Sequence, residues 1–282
     1  MSGQDKIYEM ITDRILELME QGTVPWKKTW STGLPTNFKS KKEYRGINLF
    51  FLNATPYSCN LWGSFKQITE KGGKVNKGEK GYPVVFWKFM RKEKDDGTEF
   101  SFPLLRYYTV FNMEQTDLPI SKKEENQNNS IACCEEVIEG YENCPKITNG
   151  NNASYSPSLD IINVPILGKY IVPEFYYATL FHEAIHSTGH KSRLNRFDSL
   201  ESSMFGSESY SKEELIAEMG SSYLCGHCNI LPMVENNAAS YLTSWMKVLK
   251  EDKKLLIQAA GKAQISCDHI LNRKFGMESE ET

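Results

Sequence analysis

Pro173-Glu-Phe-Tyr-Tyr-Ala-Thr-Leu-Phe-His182-Glu183-Ala-Ile-His186-Ser-Thr-Gly189 is the stretch that decides the fold. Pro173 opens a helix at its first turn, and Gly189 closes it about four turns later. Two histidines four residues apart lie one turn apart on the same helix face, so both imidazoles can reach one Zn²⁺ or another divalent metal. Glu183 follows the first of them, where its carboxylate can take a proton from an attacking water and return it to the leaving group. The neighbours Ala178, Leu180, Phe181, Ala184 and Ile185 are apolar or small, as in a buried helix that shows only its ligand face to a cleft. The chain has five His, and three of them fall between 182 and 190, which weighs against a chance match.

A catalytic zinc site needs a third protein ligand. His190 is near, but the helix ends before it, and Ser192 stands where a longer pattern would place a third His. The next helix, which opens at Ser211, offers Glu214 and Glu218, one turn apart. One reading makes Glu214 the ligand and Glu218 the acid that orients a ligand His. The other makes Ser211 and Glu214 a capping box, with Tyr210 and Leu215 as its hydrophobic staple, and leaves Glu218 as the ligand. Cys225-Gly-His-Cys228 has dithiol spacing. It follows the apparent end of a helix and lacks a surrounding thioredoxin-like pattern, so ordinary thiols are the expectation.

Outward from this motif, the text is that of two parts. Leu159 to Val164 reads as a strand beside the cleft, able to pair with an extended peptide. Residues from 236 to about 272 read as mostly helical. Upstream, residues 5–21 form an amphipathic helix, 64–72 a short one, and the runs Tyr82–Trp87 and Leu104–Phe111 are strand-like, with Asp95-Asp-Gly97 as a hairpin tip. The Asn-rich text between them predicts a linker or poorly ordered insertion. The fold class is therefore α+β in two domains, 1–117 and 150–282, joined through 118–149, each able to bury its own core.

Charge divides the chain in the same place. The 282 residues carry a net -3, yet 27–92 holds fourteen Lys/Arg against Glu43, Glu70 and Glu79. Twelve aromatics are interleaved there, including Trp30, Tyr44, Trp62, Phe86 and Trp87. Cations track phosphates and exposed rings stack on unpaired bases, so this part predicts binding of single-stranded DNA. The densest mixtures nominate Lys39, Lys41, Lys42, Tyr44, Arg45, Trp62, Lys74, Lys77 and Lys80. No run of about 18 apolar residues exists to span a membrane. Seven cysteines without regular spacing, and a start bearing Asp5, Lys6 and Glu9, predict a cytoplasmic protein without a secretory leader.

Several motifs occur in fixed order: Tyr44-Arg-Gly-Ile-Asn48, Trp62, Gly72-Gly-x-Val-x-Lys77-Gly-Glu-Lys80-Gly81, Tyr155-Ser-Pro-Ser-Leu-Asp160, His182 to Arg196, Glu213 to Gly220, and Tyr241-x-x-Ser-Trp245. In these the chain resembles ArdC-type antirestriction proteins and the related TraC-type plasmid primases, over nearly all its length except 118–150. The resemblance implies an N-terminal single-stranded-DNA-binding domain and a zincin-like metallopeptidase domain, carried on a mobile element to protect incoming DNA. It places His182 and His186 on metal positions, Glu183 on the catalytic glutamate and Glu214 on the third ligand. Three functions stay open: a DNA-tethered protease acting on a host protein such as a restriction subunit, a DNA-occluding protein with an inactive metal domain, and a primase accessory.

Overall fold

The computed structural model describes residues 3–22, 33–93, 99–120, 130–197, 208–230 and 238–273. The hairpin tip expected at 95–97 and Trp30 lie outside the described residues. The amphipathic N-terminal pattern forms α1 (Gly3–Glu20), which buries Ile7, Ile11, Ile15 and Met19 along one face. A four-stranded sheet follows, built from β1 (Thr36–Asn37), β2 (Leu61–Ser64), β3 (Tyr82–Glu93) and β4 (Glu99–Asn112) in the order β1-β2-β4-β3. Two short helices flank it, α2 (Ile47–Asn53) and α3 (Phe65–Glu70). α3 starts on a reciprocal cap: the Ser64 side chain accepts from the Gln67 N–H, and the Gln67 side chain accepts from the Ser64 N–H.

The second part holds α4 (Ser130–Gly140), β5 (Lys146–Asn149), β6 (Ser154–Ser156), β7 (Ile161–Val164), α5 (Pro173–Ser187), α6 (Glu208–Cys228), α7 (Ala238–Glu251) and α8 (Leu255–Ile270). Two expectations are corrected here. Much of the stretch predicted to be a linker is structured, since α4 and β5 occupy 130–140 and 146–149, and Cys134 and Val137 of α4 and Tyr141 just after it are buried. Polar composition concealed an apolar stripe spaced three and four apart. The second correction concerns the core. One continuous cluster joins α1 and α2 to α5, α6 and α8, and the Phe50 ring stacks on Tyr223 at 4.5 Å. The two parts therefore do not keep separate main cores. A smaller cluster of Tyr44, Leu52, Trp62, Val84 and Val110 lies within the N-terminal part.

The second sheet has the order β5-β7-β6. β7 is thus central, with β5 parallel on one side and β6 antiparallel on the other. Among the described residues the outer strands are β5 and β6, so an added peptide strand has no place on 159–164. What aligns the site is the contact of α5 with α6. A Cβ on Gly220 would stand 2.6 Å from Ile185 Cδ1, so a larger residue there would force the Ile185 side chain to move. The Ser221 hydroxyl donates to the Ala178 carbonyl at 2.9 Å across the same contact.

Candidate metal centre

The periodicity of α5 turns His182 and His186 to one side, facing Glu214 of α6. His182 Nε2 lies 3.5 Å from Glu214 Oε2, and His186 Nε2 lies 3.4 Å from Glu214 Oε1. The two Nε2 atoms are 3.1 Å apart. Donors held roughly 2.0–2.1 Å from a tetrahedral ion stand about 3.3–3.4 Å from one another, so the triad already has the edges of such a site. Among the described residues these three are the group of metal-ligating side chains whose donor atoms converge, all within 4.8 Å.

Charge supports the same fit. Burial opposes an imidazolium, yet bonds to Glu213 and Glu214 push His186 up to about 10. Burial likewise opposes the charged form of Glu214, but the two imidazoles hold its carboxyl far below the usual range. The cluster thus calls for positive charge at its centre, whether a proton or a divalent cation. Glu183, 7% exposed, is raised above its ordinary value chiefly by burial, while His182, His186 and a hydrogen bond from the Tyr155 backbone pull the other way. A raised carboxyl beside this centre suits a group that must both take and return a proton. It also places edge strand β6 next to the acid, correcting the expectation that 159–164 would flank the cleft.

The acid that stands against the other ring nitrogen of His186 is Glu213. Its Oε1 stands 3.4 Å from His186 Nδ1, so the ring can donate there and keep its Nε2 lone pair for the centre. Arg196 donates to Glu213 Oε1 at 2.6 Å, and also to Thr188 Oγ1, Ile185 O and Ser266 Oγ. Burial favours the neutral acid, but His186 and Arg196 together hold Glu213 ionised. Glu218, one turn on, lies outside the triad. The capping-box alternative also fails, because α6 begins at Glu208 and Ser211 lies inside it. His190 points elsewhere, its Nδ1 2.7 Å from Ser192 Oγ. Glu213→Gln removes the negative charge that faces His186 and Arg196 and leaves the Arg196 charge buried without its counter-ion. Metal affinity should fall about 10–100-fold and stability by about 3–5 kcal/mol, read by chelator competition and by denaturant unfolding.

A second arginine braces the surroundings. Arg193 donates to Ser187 O at 2.7 Å, to Asp160 Oδ2 at 3.1 Å and to the Tyr155 hydroxyl at 3.1 Å, tying the end of α5 to β6 and to the turn before β7. The motif residues Asp160, Arg193 and Arg196 were visible in the sequence, but nothing in their spacing revealed these partners. Cys225 and Cys228 sit in the last turns of α6, fully packed. Burial pushes the Cys225 thiol up, opposite to what a redox nucleophile needs.

The nominated nucleic-acid residues separate into three groups. Trp62 is 1% exposed and forms an edge-to-face triad with Tyr57 and Tyr82, and Tyr44 is buried beside it. Neither ring can stack on a base, because alternation in a short strand turned Trp62 inward. Arg45 pairs with Asp268 of α8 and Lys39 with Glu70. Lys41, Lys42, Lys74, Lys77 and Lys80 are exposed.

A helix carrying two His and a catalytic-type Glu, opposed by a Glu from the next helix and backed by a small mixed sheet, defines a zincin-like metallopeptidase domain, and a model of that family matches residues 135–262. The N-terminal domain of the anti-restriction factor ArdC matches residues 5–111. The crystal structure of metal-free antirestriction ArdC from the R388 plasmid is 35% identical, with a TM-score of 0.78 over 94% of this chain and 97% of that one. Its Mn(II)-bound form gives a TM-score of 0.76 over 96% and 99%. The protein y4eC of Sinorhizobium fredii is 31% identical over 93% of this chain and 90% of its own length. Accordingly, the chain belongs to the ArdC antirestriction family. A DNA primase TraC of Escherichia coli is 34% identical over 96% of this chain, which spans only 20% of that primase. Among the described residues, no helix is long and apolar enough to cross a membrane.

Proposed function

We propose that the protein protects the DNA of a mobile element by binding it as a single strand while hydrolysing a host protein, such as a restriction subunit, at a zinc centre. The observation that carries this reading is the convergence of His182, His186 and Glu214 with Glu183 beside them. His182, His186 and Glu214 would hold the zinc, which would supply Lewis-acid polarisation of a scissile carbonyl and of a water. Glu183 accepts the proton of that water and hands it to the departing amine. Glu213 and Arg196 keep His186 oriented, and the edge of β6 offers backbone groups to an extended substrate. The DNA half is supported by the ArdC and TraC relatives and by the excess of cations in 27–92. Seven free thiols suit work in the reducing cytoplasm.

Purified protein should contain one equivalent of zinc. Chelation should abolish hydrolysis of a denatured protein substrate and added zinc restore it. Gel shifts should show oligonucleotide bound more tightly as single strand than as duplex, and more weakly as salt rises. Hydrolysis that survives chelation, or a preference for duplex, overturns the corresponding half.

A further inference from the structure

Of β4, only Val110 to Asn112 pair with β2, so β3 and β4 continue beyond it as a two-stranded arm. Cross-strand partners share a face, and the register sorts this arm by parity. The odd-numbered side turns Val85 and Leu105 into the main core. The even-numbered side begins in the smaller core at Val84 and Val110, then runs outward into solvent. There Phe86 faces Arg106, Lys88 faces Leu104 and Met90 faces Phe102. Lys88, Met90 and Arg106 are exposed, and Phe86, Phe102 and Tyr108 are half-buried. The Phe86 and Tyr108 rings meet edge to face at 5.8 Å. No Asp or Glu occupies any even position from Tyr82 to Met90 or from Phe102 to Val110.

We infer that this face of the β3–β4 arm is where an unpaired nucleic-acid strand lies, with Phe86 and Tyr108 against bases and Lys88 and Arg106 on phosphates. The inference rests on the single-strand reading above and gives it a location, replacing the buried Trp62 and Tyr44. Aromatics on one side of a sheet present flat π surfaces that accept any base. Cations with no acid among them match a polyanion, and duplex DNA hides the base faces such rings require.

Full-length protein carrying Lys88→Gln and Arg106→Gln tests it, because both positions are exposed and folding should survive, as checked by circular dichroism and metal content. Fluorescence anisotropy with labelled oligothymidylate should show affinity about 25-fold weaker at 0.1 M salt and a salt slope smaller by about 1.4, the effect of two lost phosphate contacts. Photo-crosslinking with a bromodeoxyuridine oligonucleotide should label the peptides bearing Phe86 or Tyr108. Double-variant affinity within twofold of wild type, or crosslinks confined to other peptides, overturns this location while leaving single-strand binding intact. A wild-type protein that fails to bind the oligonucleotide removes the parent reading, and this one with it.

Discussion

Glu183→Gln should keep its metal and lose hydrolysis by about 10²–10⁴-fold. The substitution preserves shape and hydrogen-bonding capacity, and Glu183 is not one of the converging donors. What it removes is a site that can hold a proton between the attacking water and the leaving amine. Burial raises this carboxyl, bringing its proton affinity closer to that of the groups it serves. The measurement is a cleavage assay run beside metal analysis on the same preparation. An antirestriction assay on this variant then separates proteolysis from simple DNA coverage, since coverage survives the change. Cleavage at the wild-type rate eliminates Glu183 as the proton carrier.

Glu214→Ala should lose metal altogether at concentrations where Glu218→Ala retains it. Glu214 is the only carboxylate within 3.5 Å of both ligand imidazoles among the described residues. Removing it leaves two neutral donors, and the loss should exceed the roughly 10–100-fold typical of an outer-shell partner. Metal content after dialysis against a weak chelator decides the matter. Full occupancy in the Glu214 variant would assign the third ligand elsewhere.

The contrast between Glu213 and Glu218 shows where sequence reading stops. Helical spacing put His182 and His186 on one face and offered Glu214 and Glu218 of a second helix as alternatives, of which the structure brings Glu214 to the two imidazoles. It could not select the orienting acid, because that depends on how α6 is rotated and how closely Gly220 lets it approach Ile185. Adjacent residues differ by about 100° around a helix, so Glu213 and Glu214 reach different nitrogens of one imidazole. The same limit governed the aromatics. Composition announced a basic, ring-rich segment, but strand parity sent Trp62 inward and left Phe86 and Tyr108 half in solvent. In 118–149 the reverse happened: polar letters outnumbered the few apolar ones that α4 buries.

By itself the sequence determined the elements whose cause is local: the HExxH helix, its proline start, the amphipathic first helix, the strand-like runs and the uneven charge. Local periodicity and residue chemistry suffice for these, since neither depends on distant contacts. Only the tertiary structure decided which acid meets which ring nitrogen, which strand forms the edge beside Glu183, which aromatics face water, and that both parts share one core. Each of those depends on the relative rotation and register of segments far apart in the chain, and packing sets these after the local elements exist.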